Sequence, residues 1–124
     1  YLLADKREAV VIEMGLTKSC LRESKEDMLV VSDVFLTSIA EDIKPSESTA
    51  FTRYDFARKC LHENKGKIDN KFMRELLSDH GIPICSHNEI NTLRSVIVKT
   101  NERKILVAGG HPCTSRFEEI LIPA

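Results

Sequence analysis

The chain has 124 residues and a formal net charge of -1, from 18 Lys and Arg against 19 Asp and Glu. This length suits a single domain, residues 1–124, with a real core. A content of 42% hydrophobic and 30% charged residues excludes a disordered chain. The basic residues are scattered and the apolar runs are short, so neither a nucleic-acid partner nor a membrane span is expected.

Residues 1–35 are predicted to form a meander of strands. The strands are rich in β-favouring residues or bounded by turns, and they are expected at residues 1–4, 9–12, 17–22 and 28–31. Gly15 ends the second of them. Apolar residues at successive positions, as in Val10, Val11 and Ile12, indicate strands that are covered on both faces.

The middle of the chain is predicted to be helical, after a polar connector at residues 41–48. The first helix has apolar residues at helical spacing, namely Phe51, Tyr54, Ala57 and Leu61. Gly66 suits a left-handed position after this helix. Asp69 is a good N-cap for a second amphipathic helix, which is expected to end at Gly81 and Pro83.

The last third is predicted to be a hairpin with arms at residues 92–98 and 104–108, followed by a short strand at residues 117–122. Both arms carry apolar residues at successive positions, so they too are expected to be covered on both faces. The order is strands, two helices and strands, without βαβ alternation. We therefore predict an α+β fold with a mostly antiparallel sheet and two amphipathic helices lying on a sheet.

The four cysteines are widely spaced and form no CxxC motif; they are Cys20, Cys60, Cys85 and Cys113. This low density does not resemble a disulfide scaffold. We expect mostly buried thiols in a reducing compartment, and therefore a cytoplasmic location.

Cysteine and histidine residues flank the predicted hairpin. Cys85 and His87 precede it, and His111 and Cys113 follow it. Two Cys and two His are a complete ligand set for tetrahedral zinc, and a hairpin brings its two open ends together. Against a metal site, the Cys-x-His spacing is tighter than the usual ligand gap. The zinc site is therefore kept as an alternative, and His62 and His80 are given no role.

The same residues also allow a thiol nucleophile. Cys113 or Cys85 would be activated by His111 or His87. The surrounding Gly109, Gly110 and Pro112 are equally explained as a sharp turn between strands. The pattern favours the turn.

Several segments, in their order along the chain, resemble the C-terminal half of acyl-coenzyme A:6-aminopenicillanate (isopenicillin N) acyltransferase-like proteins, which are autoprocessing N-terminal-nucleophile hydrolases of the C45 peptidase type. The segments are residues 1–5, 9–13, 30–35, 52–54, 78–87, 92–93 and 104–113. Together they extend over nearly the whole chain. The resemblance implies half of an αββα sandwich, and a chain that is the C-terminal part of a larger fold.

The resemblance also implies a chemistry. Family members use an N-terminal Cys, freed by self-cleavage, for acyl transfer or amide hydrolysis. This chain begins at Tyr1 and is expected to be inactive alone. Asp33 occupies the position of the family's oxyanion Asn, where a carboxylate would repel the oxyanion. The family's active-site Arg has no counterpart at residues 88–91, and Arg94 is the nearest candidate.

Three functions are therefore carried forward. The first is a C-terminal segment of an N-terminal-nucleophile acyltransferase or amidohydrolase, with the missing half of the fold as partner and a small acyl or amide substrate. The second is a degenerate, non-catalytic homologue that binds or self-associates, because half a sandwich exposes an apolar sheet face. The third is the small zinc-binding domain. The first two require no cofactor.

Overall fold

The computed structural model describes residues 1–5, 7–24, 26–42, 49–82, 84–88 and 91–123. The chain divides into two compact units, Tyr1–Glu63 and Asn64–Ala124. Each unit contains one antiparallel three-stranded sheet and one α-helix. The predicted α+β class with antiparallel sheets is confirmed, whereas a single domain spanning residues 1–124 stays a prediction.

The first unit is a meander followed by two helices. Its strands pair in the order β1-β2-β3, and the bounds of its elements are β1 Leu2–Ala4, β2 Ala9–Met14, β3 Ser19–Glu23, a 3-10 helix Ser38–Asp42 and α1 Ala50–Glu63. The β1–β2 turn is closed by Asp5, whose carboxylate accepts the backbone N–H groups of Arg7 and Glu8. This side chain therefore takes over donors that a tight turn leaves unpaired.

A buried carboxylate organises the first unit. Glu13 lies on the same face of β2 as the buried Val11 and is itself buried. Its oxygens accept hydrogen bonds from the guanidinium of Arg22 on β3, from the backbone N–H of Leu36 and from both the N–H and the hydroxyl of Thr37. Desolvation raises the pKa of Glu13, but the hydrogen bonds outweigh it, so the pKa lies below its ordinary value of 4.5.

The prediction of a strand at residues 28–31 was wrong, because the described segment 26–42 contains no strand. The carbonyl oxygen of Val30 accepts two hydrogen bonds of 3.0 Å from the guanidinium of Arg22. A backbone acceptor that a sheet ladder would use is thereby occupied by a side chain. Arg22 thus fixes both Glu13 and the chain that follows β3.

We expect Glu13→Gln to lower the free energy of unfolding of the first unit by about 2 kcal/mol or more, because it weakens charge-assisted hydrogen bonds and leaves Arg22 without its anion. The folded-state pKa is below the unfolded one, so the contribution of ionised Glu13 is fully present above pH 4.5 and is lost as pH falls through the lowered pKa. Urea titrations at neutral and acidic pH should show the difference between wild type and variant shrinking with acid.

The matched control is Glu63→Gln, which makes the same change in an exposed i,i+4 pair with Lys59. Such a pair contributes at most about 0.5 kcal/mol. Equal effects of the two substitutions would contradict the role given to Glu13.

The second unit places one helix before a second meander. Its strands pair in the order β4-β5-β6, and its elements are α2 Asn70–Leu77, β4 Arg94–Lys99, β5 Lys104–Gly109 and β6 Phe117–Leu121. The predicted N-cap is confirmed, since the Asp69 carboxylate accepts the N–H of Phe72 at 2.8 Å. Gly66 has a φ of 80°, the left-handed conformation expected of it.

Burial in β4 alternates along the strand. Ser95 and Ile97 are buried, whereas Val96 is 48% and Val98 is 56% exposed. The expectation that β4 is covered on both faces was therefore wrong. α2 contacts β4, and a strand that is covered on one side presents every second side chain to the other.

Three sequence features lie wholly or partly outside the described residues: most of the polar connector, at residues 43–48; Pro83; and residues 89 and 90 of the stretch 88–91. Within the described part of the chain, no helix combines the length and the apolar character needed to span a bilayer.

Candidate metal centre

The open end of the β4–β5 hairpin brings together two distant parts of the second unit. The ladder pairs Arg94 with Gly109, and the N–H of Gly110 continues it by donating to the carbonyl of Leu93 at 2.8 Å. The residues that precede β4 and those that follow β5 therefore meet at one end of the sheet.

Thr92 ties the chain before β4 to the start of that strand. Its N–H donates to the carbonyl of Ser86, while its hydroxyl accepts the Ser86 N–H and donates to the carbonyl of Ile84. An isolated antiparallel bridge between His87 and Asn91 extends the contact. This clamp fixes the backbone on both sides of Cys85.

The loop after α2 is folded by Asp79. Its carboxylate accepts the N–H of Ile82 at 2.9 Å, and its backbone carbonyl accepts the N–H of Cys85, also at 2.9 Å. An Asp side chain that accepts a backbone N–H a few residues further on supplies an acceptor where the helical hydrogen bonds have ended. The turn carries His80 back towards Cys85.

On the other side, a turn over residues 110–115 presents His111 and Cys113. The carbonyl of His111 accepts the N–H groups of Thr114 and Ser115. The turn begins at Gly110, whose φ of 98° is strained for any residue with a Cβ atom.

Four donor atoms converge between these segments, from His80, Cys85, His87 and Cys113, and all lie within 4.8 Å of one another. The His87 Nε2 atom is 3.2 Å from the Nε2 of His80, 3.6 Å from the Sγ of Cys85 and 3.2 Å from the Sγ of Cys113. The two sulfur atoms are 3.6 Å apart. The cluster therefore has the composition and the size of a metal centre.

The electrostatics of the cluster differ between its buried and exposed members. Cys85 is 2% exposed, and its burial, followed by the hydrogen bond that its thiol donates to Cys113, raises its pKa. Desolvation, followed by repulsion from His111 and His80, lowers the pKa of His87. A lowered pKa keeps this imidazole neutral at physiological pH, which is the form that binds a metal.

His111, which the sequence suggested as a ligand, lies beside the four donors. Its ring stacks on that of His87 with the centroids 3.7 Å apart, and its Nε2 atom is hydrogen-bonded to the Oδ1 of Asn91. His80 joins the cluster although sequence analysis gave it no role. The Asp79-x-x-Ile82 turn predicts a reversal of the chain at His80, but not which donors the reversal brings it to.

The residues suggested by the family resemblance are not among the four donors. Asp33 is in the first unit, where its carboxylate is 83% exposed and pairs with Arg53 at 3.1 Å. Arg94 is the exposed first residue of β4 in the second unit.

The expectation of mostly buried cysteines was wrong. Of the four, all within the described ranges, Cys85 is buried, Cys20 and Cys60 are half-buried, and Cys113 is exposed. Cys113 lies in the turn at residues 110–115 rather than in a core strand, which explains its exposure.

The geometry also brings a thiol and an imidazole together. Cys113 is exposed and its Sγ is 3.2 Å from the Nε2 of His87, a distance at which a base can take a thiol proton. Such a pair uses two of the four donors and leaves the approach of His80 and Cys85 unexplained. A bound metal ion would use all four.

Comparison of the sequence with protein-family models and with curated proteins finds no match. Membership of the acyltransferase-like family stays a prediction.

Gly110→Ala tests whether the turn positions the site. The substitution places a Cβ atom in a left-handed conformation and 3.1 Å from the Oγ of Ser115, so it should shift the turn that carries Cys113 and cost about 1 kcal/mol or more of stability. Gly109→Ala is the matched control, because its Cβ meets nothing within 4 Å. Chemical denaturation checks the prediction, and equal stability of the two variants would contradict it.

Proposed function

We propose that the second unit binds one zinc ion through His80, Cys85, His87 and Cys113, and that the ion stabilises its fold. The observation that carries the proposal is the set of donor separations, 3.2 to 3.6 Å for four of the six pairs. Bonds of about 2.0 to 2.3 Å to a tetrahedral zinc ion place neighbouring ligand atoms about 3.3 to 3.8 Å apart.

The donor chemistry favours zinc over other ions. Two thiolates and two imidazoles are typical of tetrahedral zinc, whereas calcium and magnesium prefer oxygen ligands. Deprotonation of Cys85 against its raised pKa would be driven by the metal, since binding of a metal ion to a thiol releases the proton.

A structural role follows from the number of ligands. Four protein ligands fill a tetrahedron and leave no position for a reactive water, as in structural rather than catalytic zinc sites. The ligands come from the loop after α2, the segment before β4 and the turn after β5, so one ion would join three loops of a small unit. Small domains use metals in this way when their cores are limited.

The proposal agrees with a reducing location such as the cytoplasm. Thiolate ligands persist where thiols are kept reduced, and an oxidising compartment would favour disulfides instead. Cytoplasmic residence is therefore proposed together with the metal.

Metal binding is tested by adding zinc or cobalt to the full chain prepared without metal. Elemental analysis should give one zinc ion per chain, and cobalt should develop the visible absorption of a tetrahedral complex with thiolate ligands. Zinc at about 1,000 times its Kd should raise the free energy of unfolding by about 4 kcal/mol. A chain that retains no zinc after dialysis, with an unchanged unfolding midpoint, would sink the proposal.

The choice of histidine is tested by a matched pair of substitutions. His80→Gln removes a proposed ligand and should weaken zinc binding by more than about 100-fold. His111→Gln removes only an outer neighbour and should cost no more than about 100-fold. His62→Gln, at an exposed pair with Glu26, should have no effect. A larger loss in His111→Gln than in His80→Gln would assign the site to the ligand set suggested by sequence spacing.

A second candidate function follows from the family resemblance: a segment of an N-terminal-nucleophile hydrolase fold whose sheet is covered by another polypeptide layer. What supports it is the exposed face of β4, where Val96 and Val98 lie uncovered within their unit. Contiguous apolar surface of this kind marks interaction sites. In a preparation of this chain alone, a second copy would supply the layer.

Val98→Lys should therefore weaken self-association by more than about tenfold, because it places a charge in a buried apolar contact. Sedimentation analysis across a concentration series gives the association constant. Leu16→Lys is the control, since Leu16 is a fully exposed apolar residue outside the strands. A wild-type chain that remains monomeric at high concentration would count against this candidate.

A further inference from the structure

The two sulfur atoms of the cluster are placed to react with each other. Cys85 and Cys113 are 28 positions apart in the sequence, yet their Sγ atoms are separated by 3.6 Å and the Cys85 thiol donates a hydrogen bond to the Cys113 sulfur. They lie on two different segments, one before β4 and one after β5. The backbone contacts of Thr92 and the turn at residues 110–115 hold these segments in place.

Solvent reaches the two sulfurs unequally. Cys113 is exposed and Cys85 is buried. An oxidant in solution would therefore meet Cys113 first, and the buried sulfur of Cys85 would be its nearest thiol partner. This is the arrangement of a peroxide-reactive cysteine beside a resolving cysteine.

We propose that Cys85 and Cys113 form a reversible disulfide on exposure to a peroxide, and that in the metal-loaded protein this bond releases the zinc ion. The second part rests on the zinc site proposed above. The disulfide requires only the two neighbouring sulfurs. The site would then hold metal under reducing conditions and lose it under oxidising ones.

The reaction balances with hydrogen peroxide as the two-electron oxidant. The Cys113 thiolate attacks one peroxide oxygen, the O–O bond breaks, and sulfenic acid and hydroxide form. The Cys85 sulfur then attacks the Cys113 sulfur, the S–O bond breaks, and a second hydroxide leaves. Protons from the thiols or from solvent convert both hydroxides to water. A dithiol reductant reverses the oxidation by thiol–disulfide exchange and becomes a disulfide itself.

Loss of the metal follows from the change in the ligands. Zinc is held by anionic thiolates, and a disulfide removes both of their negative charges. Two imidazoles, from His80 and His87, remain. Since half of the ligand set is lost, the affinity for zinc should fall by several orders of magnitude.

The other two cysteines are placed differently. Cys20 lies on β3 of the first unit with its sulfur 3.5 Å from the hydroxyl of Ser38, and Cys60 lies within α1. Both are half-buried. A double variant, Cys20→Ser with Cys60→Ser, therefore leaves the proposed pair intact and removes competing thiols.

The experiment treats the full-length double variant with hydrogen peroxide, in metal-free and zinc-loaded forms. In both forms the two remaining thiols should no longer react with a thiol reagent. The mass of the chain should fall by that of two hydrogen atoms. Peptide mapping should identify the Cys85–Cys113 bond. The zinc-loaded form should release one zinc ion per chain to a colorimetric chelator. Dithiothreitol should restore the thiols and, with zinc present, the bound ion.

The outcomes separate this inference from the zinc proposal. If the chain binds zinc but peroxide produces no Cys85–Cys113 bond, the inference is overturned and the zinc site stands. If the disulfide forms in a chain that never binds zinc, the zinc proposal and the release step fail while the thiol pair is supported. A triple variant, which combines Cys113→Ser with the double variant, should retain its Cys85 thiol under the same treatment. If the triple variant lost its Cys85 thiol as fast as the double variant does, the inference would also be overturned.

Discussion

The antiparallel ladder between β4 and β5 is the constraint on which the candidate site depends. By aligning Arg94 with Gly109, it brings His87 and Cys113, which are 26 positions apart, to a separation of 3.2 Å between Nε2 and Sγ. Closing a loop of that length costs conformational entropy. The six paired positions of the ladder offset part of this cost, so the sheet brings together the segments that carry the donors.

The same geometry supports two exclusive states of one pair of sulfur atoms. As thiolates, Cys85 and Cys113 would complete a tetrahedral ligand set with His80 and His87. As a disulfide, they would leave only the two imidazoles. One sulfur is buried and the other is exposed, so one side of the pair is anchored in the unit while the other meets solvent. One contact of 3.6 Å, between the sulfur atoms of Cys85 and Cys113, would thereby link the metal occupancy of the site to its redox state.

Glu13 in the first unit illustrates a related way of ordering irregular chain. Its buried carboxylate gathers donors from β3 and from Leu36 and Thr37, much as a metal ion gathers ligands. Each of the two units has a small sheet and few fully buried apolar side chains among its described residues. Polar groups with several partners compensate for a small core when every partner is satisfied, and this explains why a charged residue occupies an interior position of β2.

The sequence by itself determined the elements whose signals are local. The N-cap at Asp69, the left-handed Gly66, the hairpin and the α+β class all depend on neighbouring residues or on short periodicity, and the structure confirms them. It also identified Cys85, His87 and Cys113 as possible ligands, because a hairpin predicts that its ends meet. Only the tertiary structure decided that His80, rather than His111, completes the cluster. That choice depends on the direction of two loops, one folded by the Asp79 carboxylate and one by the φ of Gly110, and no ligand spacing encodes it. The strand expected at residues 28–31 is absent for a similar reason. The Val30 carbonyl accepts hydrogen bonds from the Arg22 side chain, a contact that strand periodicity does not encode.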